Sequence, residues 1–181
     1  MKEKIFLRRF QLSDAPVLLK WGKDERYHKL AGFERINNLE EAKYAAQQYV
    51  KRTNSFAICL NDKSNVIGLI EMYERGMDER SGLLQTKEIG FLMAKEYEGH
   101  GYMKRAIQLV LKEAFIKQKQ TEIWAGTFED NTRSQKLLEN LGFKYKYSID
   151  YSQIYNLFSY KEKYYLLKKA EWLKINENTK S

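Results

Sequence analysis

Apolar residues recur along this chain with two periods, and the switches between them mark out the elements. Ile5 to Phe10 alternates weakly and predicts an opening strand. Ser13-Asp14 offers a helix N-cap, with Pro16 near the helix start, and the helical spacing runs to Trp21. Gly22 to Phe33 is polar and reads as irregular. Asn38 with Glu41 gives a capping-box signal, and the helix it opens, Leu39 to about Arg52, places Ala42, Ala45, Ala46 and Tyr49 on one face. Ser55 to Leu60 and Val66 to Tyr73 flank the turn cluster Asn61-Asp62-Lys63-Ser64-Asn65 and predict a hairpin. Glu74 to Gln85 reads as a loop. Lys87 to Ala94 is strand-like, and Glu98 to Tyr102 is a tight turn. Met103, Ala106, Ile107, Val110, Leu111 and Ala114 then fall at helical spacing in a helix reaching about Lys119. Glu122 to Thr127 predicts a strand. Asn131 caps a helix ending at Asn140 or Leu141, with Gly142 just past its end. Phe143 to Asp150 and Tyr160 to Lys168 predict a last antiparallel pair, joined by an aromatic-rich connection, Tyr151 to Ser159. Glu171 to Ser181 reads as a polar, frayed tail. The expectation is one domain over 1–170 followed by a tail over 171–181.

Composition narrows the class. At 181 residues the chain can bury one core, and 43% hydrophobic with 31% charged residues is a globular balance. No apolar run is long enough to span a membrane, and the charged start MKEKIFLRRF lacks a signal-peptide core, so a cytoplasmic protein without a membrane partner is expected. One Cys excludes an internal disulfide, and two isolated His argue against a structural zinc site, so no metal is expected. The net charge of +8 suits polyanions, RNA among them; a basic surface without a partner is the plainer reading.

The stretch Thr86 to Gln108 carries the strongest signal. A strand, a turn with Gly99 and Gly101, and an amphipathic helix leave the first helical N–H groups pointing at one spot, where the dipole favours an anion. Glycines let the backbone approach a phosphate. The backbone of Gly99, His100, Gly101, Tyr102 and Met103 is therefore a candidate phosphate cradle, with Lys104, Arg105 and Arg133 as electrostatic help. A plain strand-to-helix turn, and solvated cations, explain the same residues.

This stretch resembles the nucleotide-binding motif of the GNAT N-acetyltransferase superfamily, Q/R-x-x-G-x-G/A. Here it reads Glu96-Tyr97-Glu98-Gly99-His100-Gly101, keeping both glycines and replacing the first position by Glu. Asn131-Thr132-Arg133-Ser134 followed by Leu141-Gly142-Phe143 is similar to the family's second motif, N-x-x-S/A…G-F. Leu18 to Asp24 looks like the ribosomal-protein N-terminal (RimJ/RimL-like) branch. The resemblance implies a three-layer α+β fold with a mixed, mostly antiparallel sheet whose central strands splay apart. It implies acetyl-CoA as cosubstrate and direct transfer to a primary amine. The acceptor is a protein N-terminus, ribosomal by first guess, or a small amine such as a polyamine or aminoglycoside. Nucleic acid enters only through a ribosomal substrate, and the protein acts as a monomer or homodimer. A silent CoA- or RNA-binding module is the rival from another class. Asp24 to Phe33 is implied to face the substrate; Asp78-Glu79 and Glu40-Glu41 are thin support for a polycation.

Amine acetylation needs a held carbonyl, a route for the amine proton and a donor for the leaving thiolate. Glu88, in E-I-G-F, stands where the superfamily's histone acetyltransferases carry their catalytic Glu, and is the candidate base. An ordinary strand salt bridge is the alternative, and Glu71 is a weaker competitor. The family's usual Tyr acid falls at Leu138 here, so the thiolate donor passes by resemblance to Ser134, which otherwise is a small packing residue. Asn131 caps its helix and, by resemblance, reaches the pantetheine arm. Strand-end backbone groups of Phe91, Leu92 and Met93 are implied to meet the pantetheine amides, while the Met93 side chain packs. His28 and His100 are isolated. Cys59 reads as a core residue. Tyr145, Tyr147 and Tyr151 alternate, so that one face can line a pocket or stack bases.

Overall fold

The computed structural model describes residues 3–75, 86–153 and 160–178. Seven strands form one sheet in the order β1-β2-β3-β4-β5-β7-β6: β1 (Ile5–Arg9), β2 (Ser55–Leu60), β3 (Val66–Glu74), β4 (Thr86–Met93), β5 (Glu122–Phe128), β6 (Lys144–Asp150) and β7 (Lys161–Lys168). β4 and β5 run parallel; β1 with β2, β2 with β3, β5 with β7 and β6 with β7 run antiparallel. The sheet is thus mixed and mostly antiparallel, as expected. The chain packs as two compact units, Met1–Met72 with Gly90–Leu109, and Tyr73–Ile89 with Val110–Ser181.

In the first unit, helices α1 (Ala15–Lys23), α2 (Glu25–Ala31) and α3 (Leu39–Lys51) share a core with one face of the strands. Leu18, Trp21, Ala42, Ala46 and Tyr49 meet Ala57, Cys59 and Leu69 there. Alternation along the strands sends Ile58 and Ile70 to the opposite face, and they too are buried. Asn38 caps α3 as read, its side chain accepting from the Glu41 N–H at 2.9 Å.

Three sequence expectations change. Gly22 to Phe33 is not irregular: α1 reaches Lys23, Asp24 caps α2 through the Arg26 N–H at 2.9 Å, and Gly32 closes it with φ 62°. A seven-residue helix with only Tyr27 buried has too short an apolar stripe to read by period. Asp14 does not cap α1 with its side chain; the buried carboxylate takes both Arg8 guanidinium nitrogens, at 2.8 and 2.7 Å, and the Gln11 N–H at 2.8 Å. The frayed tail is the third change. Helix α6 (Lys169–Asn178) occupies most of it, with Trp172 buried against Phe115 at a ring separation of 5.4 Å.

In the second unit β7 lies between β5 and β6, pairing Glu122↔Lys168 through Phe128↔Glu162 on one side. β5 alternates: Ile123, Ala125 and Thr127 are buried, so Glu122, Trp124, Gly126 and Phe128 share the other face. Helix α5 (Thr132–Asn140) is capped by Asn131, which accepts from the Ser134 N–H at 3.1 Å, and Gly142 follows its end with φ 93°. The parallel ladder of β4 and β5 runs only from Thr86↔Glu122 to Ile89↔Ala125, and Gly90 to Met93 carry β4 beyond it. The Asp78-Glu79 pair, most of the 74–85 loop and most of the 151–159 connection lie outside the described residues.

Candidate active site

Helix α4 (Tyr102–Lys112) begins directly after the two-glycine turn and passes into a π-helical turn, Glu113–Lys117. Gly99 and Gly101 have φ 83° and 76°, conformations that L side chains rarely adopt. The helical ladder starts with Arg105 N–H to Gly101 C=O, 3.2 Å. The N–H groups of Tyr102, Met103 and Lys104 therefore precede any intrahelical partner. A Cβ built on Gly101 meets nothing within 4 Å. This is the geometry a phosphate cradle needs: backbone donors, positive dipole and approach unhindered by a side chain.

The turn is clamped within its unit. The Tyr27 hydroxyl accepts from Lys95 N–H at 2.9 Å, Arg26 pairs Glu98 at 2.5 Å, and Lys20 pairs Glu96 at 2.5 Å. The Glu that departs from the family's first motif position is thus neutralised by Lys20, which holds its carboxyl below the usual range. α2, expected to face substrate, carries two of these clamps. Tyr102 and Met103 are buried, so the helix start is fixed by its packing, and Lys104 is exposed. The His100 ring stacks on Tyr102 at 5.3 Å. Arg105 lies over Tyr102 and donates to the Glu3 carbonyl at 2.7 Å, while the Tyr102 hydroxyl donates to the Glu3 carboxylate. Leu92 and Met93 are buried and Phe91 is half-buried; their backbone lies in the stretch of β4 beyond the ladder.

Glu88 belongs to the second unit. Register sets its face: it pairs Trp124, which shares a face with Gly126, and Gly126 pairs Tyr164, which pairs Tyr147. Its carboxylate receives Arg75 at 2.7 Å, so the salt-bridge reading is present in the structure. The other oxygen lies 3.2 Å from where a Gly126 Cβ would be, so glycine there makes room for it. Burial pushes the Glu88 carboxyl up, with Glu162 adding to the rise and Arg75 opposing it. Glu71, the competitor in the first unit, is 4% exposed and held by Arg52 at 3.0 Å and by the Ser55 hydroxyl.

Around Glu88 stand two of the tyrosines read from the sequence, Tyr147 and Tyr151, together with Arg75, Trp124 and Tyr164, which the sequence did not single out. The Arg75 guanidinium lies over the Trp124 ring at 4.0 Å and the Tyr164 ring at 5.3 Å, and donates to the Tyr147 hydroxyl. Tyr147 stacks on Tyr164 at 5.1 Å. Tyr164 donates to Glu162 at 2.6 Å and meets the Tyr151 hydroxyl at 2.8 Å; burial and these bonds push its phenol far up, so it stays protonated. The Tyr145, Tyr147 and Tyr151 alternation does not survive. A bulge puts Tyr145 opposite Tyr165 and Tyr147 opposite Tyr164, consecutive residues of β7, so the two tyrosines point to opposite faces. A bulge has no single-residue signature in this polar strand.

On α5, Ser134 is half-buried and Arg133 exposed, while Leu138, in the place of the family's Tyr, is wholly buried in the core. Gln135 ties the helix to the end of β5 by donating to the Phe128 and Glu129 carbonyls at 3.1 and 2.8 Å. His28 meets the Phe33 carbonyl at 3.1 Å, and Cys59 is a buried core residue as read. Among the described residues no cluster of His, Cys, Asp and Glu could hold a metal, and no helix is long and apolar enough to cross a membrane.

A strand, a turn of two left-handed glycines and a helix start whose first N–H groups precede the helical ladder have the geometry expected of a phosphate-binding turn. The chain belongs to the acetyltransferase (GNAT) domain family, which matches residues 4–144. It is 26% identical over 147 residues to the uncharacterised N-acetyltransferase p20 of Bacillus licheniformis, covering 78% of this chain and 80% of that protein. Its fold is that of a GNAT-family acetyltransferase from Bacillus anthracis, with TM-score 0.79 and 20% identity over 94% of this chain and 99% of that one. It is also that of the Vibrio cholerae spermidine N-acetyltransferase solved with CoA and spermine (TM-score 0.75, 17% identity, 93% and 98% covered). The ribosomal-protein-S5-alanine acetyltransferase of Vibrio fischeri gives TM-score 0.73 at 20% identity over 95% and 97%. The protein is an N-acetyltransferase, and its family uses acetyl-CoA.

Proposed function

We propose that this protein moves the acetyl group of acetyl-CoA directly onto a primary amine in the cytoplasm, with the turn from Gly99 to Met103 as the diphosphate cradle. The observation that carries this is the pair of left-handed glycines opening α4, with open space at Gly101. Acetyl-CoA supplies a thioester, whose carbonyl accepts the amine as the thiolate leaves. The N–H groups of the turn hold the diphosphate, and Lys104 and Arg133 add positive charge. Backbone groups from Phe91 to Met93, past the end of the β4–β5 ladder, hydrogen-bond the pantetheine amides, with the Asn131 side chain as a further partner. Glu88 takes the proton of the amine. The Ser134 hydroxyl donates to the departing thiolate.

Gly101→Asp places both a strained side chain and a negative charge in the cradle. Calorimetric titration with CoA is expected to show affinity reduced more than tenfold, about 1.4 kcal/mol or more, in a variant whose circular dichroism is unchanged. Wild-type affinity in that folded variant removes the cradle from the binding site. Turnover of acetyl-CoA with a mixed amine panel weighs the silent CoA-binding alternative, since such a module binds CoA yet releases no thiol with any amine.

Both acceptor classes first expected, a protein N-terminus and a small polyamine, have counterparts among the fold neighbours. The choice falls to the chemistry around Glu88.

A further inference from the structure

The second unit contains a cation site that is filled by the protein's own side chain. Arg75 follows the last residue of β3, and its guanidinium is met by two aromatic rings, a phenol hydroxyl and a carboxylate. Trp124 lies 4.0 Å from its central carbon, Tyr164 lies 5.3 Å away, the Tyr147 hydroxyl accepts one N–H, and Glu88 accepts another at 2.7 Å. Ring faces attract cations through their quadrupole, Trp most strongly, and the attraction grows as water is excluded. The sheet register builds this arrangement: Glu88 pairs Trp124, Gly126 two residues further along the same face pairs Tyr164, and Tyr164 pairs Tyr147. Glu162 holds Tyr164 in place through its hydroxyl at 2.6 Å. The lining carries two carboxylates, Glu88 and Glu162, against one guanidinium, in a chain whose net charge is +8.

A base that must take a proton from an amine sits where a guanidinium already is. We propose that the acceptor is an alkylammonium ion that takes the place of the Arg75 guanidinium in the box of Trp124, Tyr147, Tyr164 and Glu88, so that Arg75 is a resident competitor of the substrate. The box favours a small cationic amine over a protein N-terminus, because an α-amine with a reference pKa of about 7.7–8.0 is partly neutral near pH 7, while an alkylamine near 10.4 arrives almost wholly charged. The ammonium gives one proton to the Glu88 carboxylate. The freed nitrogen lone pair forms the C–N bond to the acetyl carbon as the C–S bond breaks. The thiolate leaves with that electron pair, and the second nitrogen proton passes to it. This inference rests on the transferase reading for the chemical step alone; the box itself is a matter of binding.

A resident competitor lowers apparent affinity by the fraction of time the box is free. The test is calorimetric titration of the full chain with 1,4-diaminobutane, with 1,4-butanediol as the uncharged control. Arg75→Ala is expected to bind the diamine at least tenfold more tightly than wild type. Adding Trp124→Leu to Arg75→Ala is expected to remove that gain, and the diol is expected to bind none of them. Equal diamine affinity in wild type and Arg75→Ala overturns the proposal, as does a gain that survives Trp124→Leu. Should Arg75→Ala fail to fold by circular dichroism, Arg75→Gln replaces it. Trp124→Leu in the otherwise unchanged chain is then measured beside it, and diamine affinity unaltered in both overturns the proposal. Diamine binding that follows the expected pattern without acetyl transfer keeps the box and removes the transferase reading, so the two fail separately.

Discussion

Glu71 and Glu88 show how surroundings divide the chemistry of two like residues. Glu71 is closed in by Arg52 and Ser55, with 4% of its surface exposed. Glu88 keeps 27% of its side chain exposed, has one oxygen turned toward the space above Gly126, and carries a raised carboxyl pKa because burial disfavours its charged form. A base works only when ionised, so wild-type kcat/KM is expected to fall as pH drops through this raised value. Glu88→Gln keeps the shape and removes the basicity. Between the Glu88 pKa and the amine's own, about 10.4 for an alkylamine, the loss is greatest at the acid end. It shrinks toward the alkaline end, where free amine is plentiful. At the acid end the expected loss is about 10²-fold, the scale of a positioned general base. A pH–rate profile of Glu88→Gln that overlays wild type on a diamine makes Glu88 a structural residue. The position of Glu88 was legible through its E-I-G-F context. Its partners were not, because Arg75, Trp124, Gly126 and Tyr164 meet it only through sheet register, which one sequence does not state.

Among the elements, period and caps located most helices and strands. The amphipathic spacing of α4, the Asn38 and Asn131 caps and the Gly142 stop were all readable, since each rests on local chemistry. The misses were elements whose stability comes from tertiary packing. α2 is short and mostly polar, and α6 reads as polar tail until Trp172 is seen against Phe115. That contact gives α6 a measurable role. Trp172→Ala is expected to cost about 3–5 kcal/mol of stability, the usual scale for truncating a buried aromatic. In urea it would lower the unfolding midpoint with the slope unchanged. A loss under about 1 kcal/mol, the range of surface substitutions, would return residues 169–178 to the status of a frayed tail.

At the scale of the whole molecule, two motifs in order were enough to read the family, and the mixed sheet followed from that resemblance. What the motifs left open was the acceptor, because they concern the phosphates and the thioester end of the reaction. The positive net charge pointed toward polyanions, whereas the face carrying Glu88 gathers aromatic rings and two carboxylates around one guanidinium. The account therefore stands on acetyl transfer to a cationic alkylamine. Its most direct test is the release of free thiol from acetyl-CoA by the purified protein. One acceptor is 1,4-diaminobutane; the other is a peptide with a free N-terminus and no lysine. The account predicts one thiol released per acetyl-diamine formed, with kcat/KM for the diamine at least tenfold that for the peptide. Thiol release with the peptide and none above the blank with the diamine would contradict it.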